Sequence, residues 1–77
     1  MSDTSSRLIA LAAKKFKHDA AQLTPEDDFF AALGIDSVQA LELLSDLEIE
    51  FDVEVPDYEL QGVKTFAALA RVIDDRR

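Results

Sequence analysis

At 77 residues, 48% of them apolar, the chain has the size and composition of one small globular domain. It contains no cysteine, which excludes a disulfide framework and any thiolate chemistry of its own. The formal net charge is −8, and no Lys or Arg falls between Lys17 and Lys64, where acidic residues recur from Asp19 to Glu59; such a field repels nucleic acid and anionic membranes and suits a partner with a basic patch.

From the N-terminus, Asp3, Thr4, Ser5 and Ser6 offer N-caps for a first helix ending near Lys17. Leu8, Leu11, Ala12 and Phe16 share one face of it, and Lys14, Lys15 and Lys17 suit the negative end of its dipole. The apolar run Leu8 to Ala13 is too short for a secretory core and is followed directly by two lysines. Nothing approaches the length of a membrane span, so a soluble, cytoplasmic protein is expected. A long connection follows, in which Thr24-Pro25-Glu26 reads as a capped turn. Leu23, Phe29, Phe30 and Leu33 read as plugs that pin the loop to the core, and Gly34 as a tight approach to the next helix.

The second helix, Asp36 to about Phe51, is the best defined. Asp36 and Gln39 have capping-box spacing, and Ala40, Leu43, Leu44, Leu47 and Phe51 keep the rhythm of a buried stripe. With that stripe inward, Val38, Leu41, Ser45 and Ile49 fall on the opposite side, edged by Glu42, Asp46 and Glu50. After Pro56, Asp57 can cap a short third helix that closes near Gly62. Thr65 caps a fourth, with Phe66, Leu69, Ala70 and Ile73 inward. The expected fold is all-α: a small four-helix bundle of three longer helices and one short third helix, forming a single domain over residues 1–77.

Little catalytic chemistry can be built from these residues. A hydrolytic serine needs a base, and the only histidine, His18, is expected as an exposed residue at the far end of the first helix. A G-x-S-x-G elbow is absent, because Ile35 and Gln39 stand at the glycine positions around Ser37. The acidic groups Glu26-Asp27-Asp28 and Asp52, Glu54, Asp57 lack the spacing of a calcium loop, so no metal site is expected. Ser37 itself remains open to three readings: a cap, a nucleophile, or an attachment point. Unpaired first-turn amides and the helix dipole suit an anionic adduct there.

The segment LGIDSVQALELL, Leu33 to Leu44, resembles the L-G-x-D-S-L segment of acyl carrier proteins. The similarity extends both ways. Phe29 to Leu33 is similar to the family's aromatic approach to L-G, and Glu42-Leu43-Leu44, Leu47 and Phe51 to the body of its second helix. FDVEVPDYEL is similar to its path through a proline into the third helix, and Thr65 to Ile73 to its fourth. What the resemblance implies is a carrier and not an enzyme. A phosphopantetheinyl transferase would esterify Ser37 with 4′-phosphopantetheine from coenzyme A, Asp36 helping to present the site to that enzyme and its metal ion. Acyl groups would ride on the arm as thioesters, with the missing sulfur supplied by the cofactor.

The second helix would then be the docking surface for acyl-transfer, ligase or synthase enzymes with basic patches. Val38, Leu41 and Ile49 would give apolar contacts, and Glu42, Asp46, Glu48 and Glu50 would steer. A monomer is expected. Val38, Gln39 and Ile49 depart from the residues usual in the family, which points to partners other than the main fatty-acid synthase and to a specialised acyl or polyketide pathway. Alanine at positions 10, 12, 13, 40, 67, 68 and 70 suggests an interior loose enough to shelter an acyl chain. The alternatives are an aminoacyl or peptidyl carrier and, in another class, an unmodified acidic interaction module.

Overall fold

The computed structural model describes residues 3–77. Among them run α1 (Asp3–Phe16), α2 (Phe29–Leu33), α3 (Ser37–Phe51) and α4 (Phe66–Arg76), with 3-10 turns at Ala20–Gln22 and Asp57–Leu60. No strand occurs among the described residues, and the all-α expectation holds. The short third helix expected from the sequence is the 3-10 turn Asp57–Leu60; the side chain of Asp57, its expected cap, lies outside what is described.

The core is where the three long helices turn their stripes inward. Leu8 from α1, Leu43 and Leu47 from α3, and Phe66 and Ile73 from α4 are fully buried. The inward stripe of α3 is as expected, with Leu43, Leu44, Leu47 and Phe51 buried and Ala40 at its margin. On α1 the buried face is centred on Leu8, Ile9, Ala12 and Ala13, while Leu11 and Phe16 lie at its edge.

The expected caps of α1 are corrected: Asp3, Thr4, Ser5 and Ser6 all lie within the helix, and Thr4 and Ser5 are buried there. The Thr4 hydroxyl donates to Asp74 Oδ1 and accepts from Arg77 Nη1, tying the start of α1 to the end of α4. Arg7 and Arg77 also flank the Phe51 ring, 4.5 and 5.2 Å from its centroid. One pole of the bundle therefore gathers the start of α1 and the ends of α3 and α4.

The opposite pole gathers the end of α1, the connection after it and the starts of α3 and α4. The turn at Thr24 is held by its own residues, with the Thr24 amide donating to Asp27 Oδ2 at 2.9 Å. The connection is then sewn to α4. The amides of Phe66 and Ala67 donate to the carbonyls of Asp27 and Pro25, and the Ala68 amide to Thr65 Oγ1 at 3.1 Å. Three first-turn amides of α4, which an isolated helix leaves unpaired, are thus satisfied. In return the Phe29 amide donates to the Lys64 carbonyl at 2.8 Å.

Of the residues expected as loop plugs, Leu23 is a buried loop residue as expected, while Phe29, Phe30 and Leu33 belong to a single turn of helix, α2. Asp28 caps it by accepting from the Phe30 and Ala31 amides, and Gly34 closes it in the left-handed region at φ 67°. Phe29 and Leu33 do point into the core. Gly34 is needed for this conformation and not for a close approach, since no atom lies within 4 Å of where its Cβ would be.

Candidate functional site

Only Ile35 and Asp36 lie between Gly34 and the start of α3, and this sets the position of Ser37. Asp36 is extended, and its Oδ1 accepts the Gln39 amide at 2.9 Å while Gln39 Oε1 accepts the Asp36 amide at 3.2 Å. The capping box is complete. Because Asp36 is the cap, Ser37 is the first helical residue and its hydroxyl is not spent on capping. Ser37 is exposed, and among the described residues no hydrogen bond engages its side chain. No described acceptor takes the Ser37 or Val38 amide either, so two first-turn donors lie beside the hydroxyl.

Beside Ser37 lies an apolar cleft of about 330 Å³ between α2, α3 and the segment before α4. Its walls include Phe30, Ala40, Leu44, Leu60, Val63 and Leu69, with Ser37 and Gln61 as polar members. The alanine content of the helices suggests room for a chain but not its location. Phe30, Leu60 and Val63 are only half-buried here, on elements too short for apolar periodicity to reveal.

The outer side of α3 carries the expected seam. Val38 is 64% exposed, Leu41 45% and Ile49 81%, an unusual show of aliphatic surface on so small a molecule. Its acidic border is less uniform than its spacing suggests. Asp46 accepts from Lys15 at 2.8 Å and Glu50 from Arg7 at 3.3 Å, both reaching over from α1. The bonded Asp46 carboxylate holds the Lys15 ammonium above the ordinary lysine range. Glu48 turns away from this border. Its Oε2 accepts the Val55 amide at 2.9 Å, and its backbone carbonyl takes the amides of Asp52 and Val53 where the chain leaves α3. Glu42 is in no ion pair among the described residues.

The other polar groups near this pole offer no catalytic apparatus. His18 is exposed, yet its Nε2 lies 3.0 Å from the Leu33 carbonyl, so it is more than a free helix-end residue. The Asp27 and Asp28 carboxylates are used on backbone amides, and no group of three metal-ligating residues occurs among the described residues. Among the described residues no side chain is hydrogen-bonded to the Ser37 hydroxyl as a base would be. No described helix is long and apolar enough to cross a membrane.

This site fits a phosphopantetheine group on what the structure itself offers: an exposed, unengaged hydroxyl, two unpaired amides beside it, and an apolar cleft within reach. Comparison with known proteins points the same way. Residues 6–73 match the family profile described as "Phosphopantetheine attachment site". The chain is 35% identical over 68 residues to a protein named "Acyl carrier protein" from Helicobacter pylori strain J99, covering 88% of this chain and 87% of that one. It is 37% identical, with the same coverage, to the protein of that name from strain G27.

Proposed function

The chain belongs to the acyl carrier protein family, carriers and not catalysts that hold a covalent 4′-phosphopantetheine, and from that premise we propose that Ser37 is the residue esterified and that the domain presents its cargo to successive enzymes. When bound, the group supplies the thiol on which acyl chains are held as thioesters. The single observation that carries the assignment is the freedom of the Ser37 hydroxyl at the start of a helix whose capping is done entirely by Asp36 and Gln39. The Ser37 and Val38 amides and the dipole of a 15-residue helix favour the phosphodiester's negative charge. Asp36 keeps one carboxylate oxygen beyond its cap bond, which suits it to present the site to a transferase and its metal ion.

The outer seam is the docking surface of this reading. Val38, Leu41 and Ile49 are apolar contacts, and Glu42 with Asp46 and Glu50 draws enzymes that carry basic patches. Glu48, with its carboxylate on the loop after α3, supports the surface through the helix end and adds its charge to the field. Partners of this kind include a phosphopantetheinyl transferase and acyl-transfer, ligase or synthase enzymes. The protein works as a one-domain monomer in the cytoplasm. The cleft beside Ser37 takes the acyl chain between encounters. Its lining is almost wholly apolar, which supports an acyl cargo over an aminoacyl one. The pathway is a specialised acyl or polyketide one, a reading that rests on Val38, Gln39 and Ile49, the three residues that depart from those usual in the family.

Intact mass decides the first step. Incubation with coenzyme A, magnesium and a broad-specificity transferase is expected to add one phosphopantetheine, and Ser37→Ala to abolish the gain. No gain on the unaltered chain would leave an unmodified acidic module as the better reading. Elongation by housekeeping fatty-acid enzymes at the rate of their own carrier would remove the argument for a specialised pathway.

A further inference from the structure

One contact at the Ser37 pole takes no part in capping α3, lining the cleft or forming the seam. The chain leaves α1 through Lys17 at φ 60°, an unusual conformation for a lysine, and the His18 amide donates back to the Ala13 carbonyl at 2.8 Å. This closure of α1 delivers the His18 ring to the far end of α2, with Nε2 3.0 Å from the Leu33 carbonyl. A carbonyl only accepts, so Nε2 carries the hydrogen and donates.

The acceptor matters more than the donor. α2 has five residues, far too few to be stable by themselves, and its terminal carbonyls have no partners within the helix. The Gly34 and Ile35 amides both turn back to Phe30, which leaves Leu33 to be met from outside. Only Gly34, Ile35 and Asp36 separate Leu33 from Ser37, and Asp36 is locked to the helix by its cap. A tilt at the end of α2 therefore moves the approach to Ser37 with little slack to absorb it.

We propose that His18 is a positioning residue for the loading of Ser37: its hydrogen bond to the Leu33 carbonyl anchors the end of α2 to α1 and holds the Gly34–Asp36 approach in the geometry a transferase recognises. The inference rests on Ser37 being the attachment residue. His18 touches neither the hydroxyl nor the incoming group, so its loss acts on recognition. A loosened approach must be ordered when the transferase binds, which raises KM and leaves kcat in place.

The test compares the full chain with its His18→Ala, His18→Gln and Thr4→Val variants. The last loses a hydroxyl engaged by Asp74 and Arg77 at the opposite pole and controls for general destabilisation. Transfer from coenzyme A and amide exchange at Ile35 are both read. His18→Ala is expected to raise KM about three- to tenfold at unchanged kcat and to quicken exchange at Ile35. His18→Gln, which keeps a donor, restores both, and Thr4→Val alters neither at comparable loss of melting temperature. If the unaltered chain is loaded and His18→Ala is loaded and exchanges equally well, or if Thr4→Val matches its defect, the positioning role is overturned. If the unaltered chain takes up nothing, it is the attachment reading that fails.

Discussion

Asp36 is the cap of α3, and in the proposed reading it also presents Ser37; its neighbours allow the two to be separated. Its Oδ1 caps α3 by accepting the Gln39 amide, and its charge stands beside Ser37. Asn caps a helix about as well as Asp, because the capping atom is a side-chain oxygen and not a net charge. Asp36→Asn is therefore expected to change unfolding free energy by less than about 0.5 kcal/mol in a urea titration, while slowing transfer to Ser37 by more than tenfold. Asp36→Ala loses the cap as well and costs about 1 kcal/mol more. Equal transfer by the Asn variant would reduce Asp36 to a cap. Gly34 shows the opposite economy, a residue chosen for one backbone angle and nothing else, since the space around it is open.

At the scale of elements, legibility follows length and periodicity. α3 and α4 are readable because each runs through enough turns for an inward stripe to repeat, and each begins on a side chain that caps it: Asp36 and Thr65. α2 escapes a periodicity argument because one turn gives no period. Its signals are present at its ends, an Asp before FFAAL and a Gly after it, and reading those two caps together is what finds it. Partners far apart in sequence are out of reach altogether. Nothing in the spacing of α3 announces that Arg7 and Lys15 will reach across to Glu50 and Asp46, or that His18 will meet Leu33. Glu48 is the instructive case, since in the sequence it counts only as one more carboxylate beside Glu42, Asp46 and Glu50. In the fold it collects three amides around the chain reversal at Asp52, which sits at φ 54°, and so aims Val53 and Val55 into the core. Glu48→Ala strands the Val55 amide and is expected to cost about 1–2 kcal/mol by urea unfolding. A change below about 0.3 kcal/mol would show that water serves that amide equally well.

Over the whole molecule, the pairing of charges decides how salt acts. The eight cations face sixteen carboxylates, and four of them, Arg7, Lys15, Arg76 and Arg77, sit in ion pairs among the described residues. These pairs are all at the surface, where each contributes at most about 1 kcal/mol, and salt weakens them. The remaining negative charge repels itself throughout a molecule whose backbone extends 27 Å along its longest principal axis, only a few Debye lengths at physiological ionic strength. Repulsion among so many unpaired carboxylates outweighs four exposed pairs, so the melting temperature is expected to rise as sodium chloride is increased from about 10 to 300 mM, an interval over which the Debye length contracts severalfold. For the proposed docking surface the opposite dependence is expected. Attraction of Glu42 and its neighbours to a basic enzyme patch is screened by the same ions, so the association rate is expected to fall over the same interval. Calorimetry and stopped-flow association in matched buffers measure the two effects, and their opposite signs are the signature of a charge kept for meeting partners at the expense of the fold. A melting temperature that falls with salt would assign the stabilising role to the ion pairs of α1 instead, and with it a structural purpose for the acidic edge of α3.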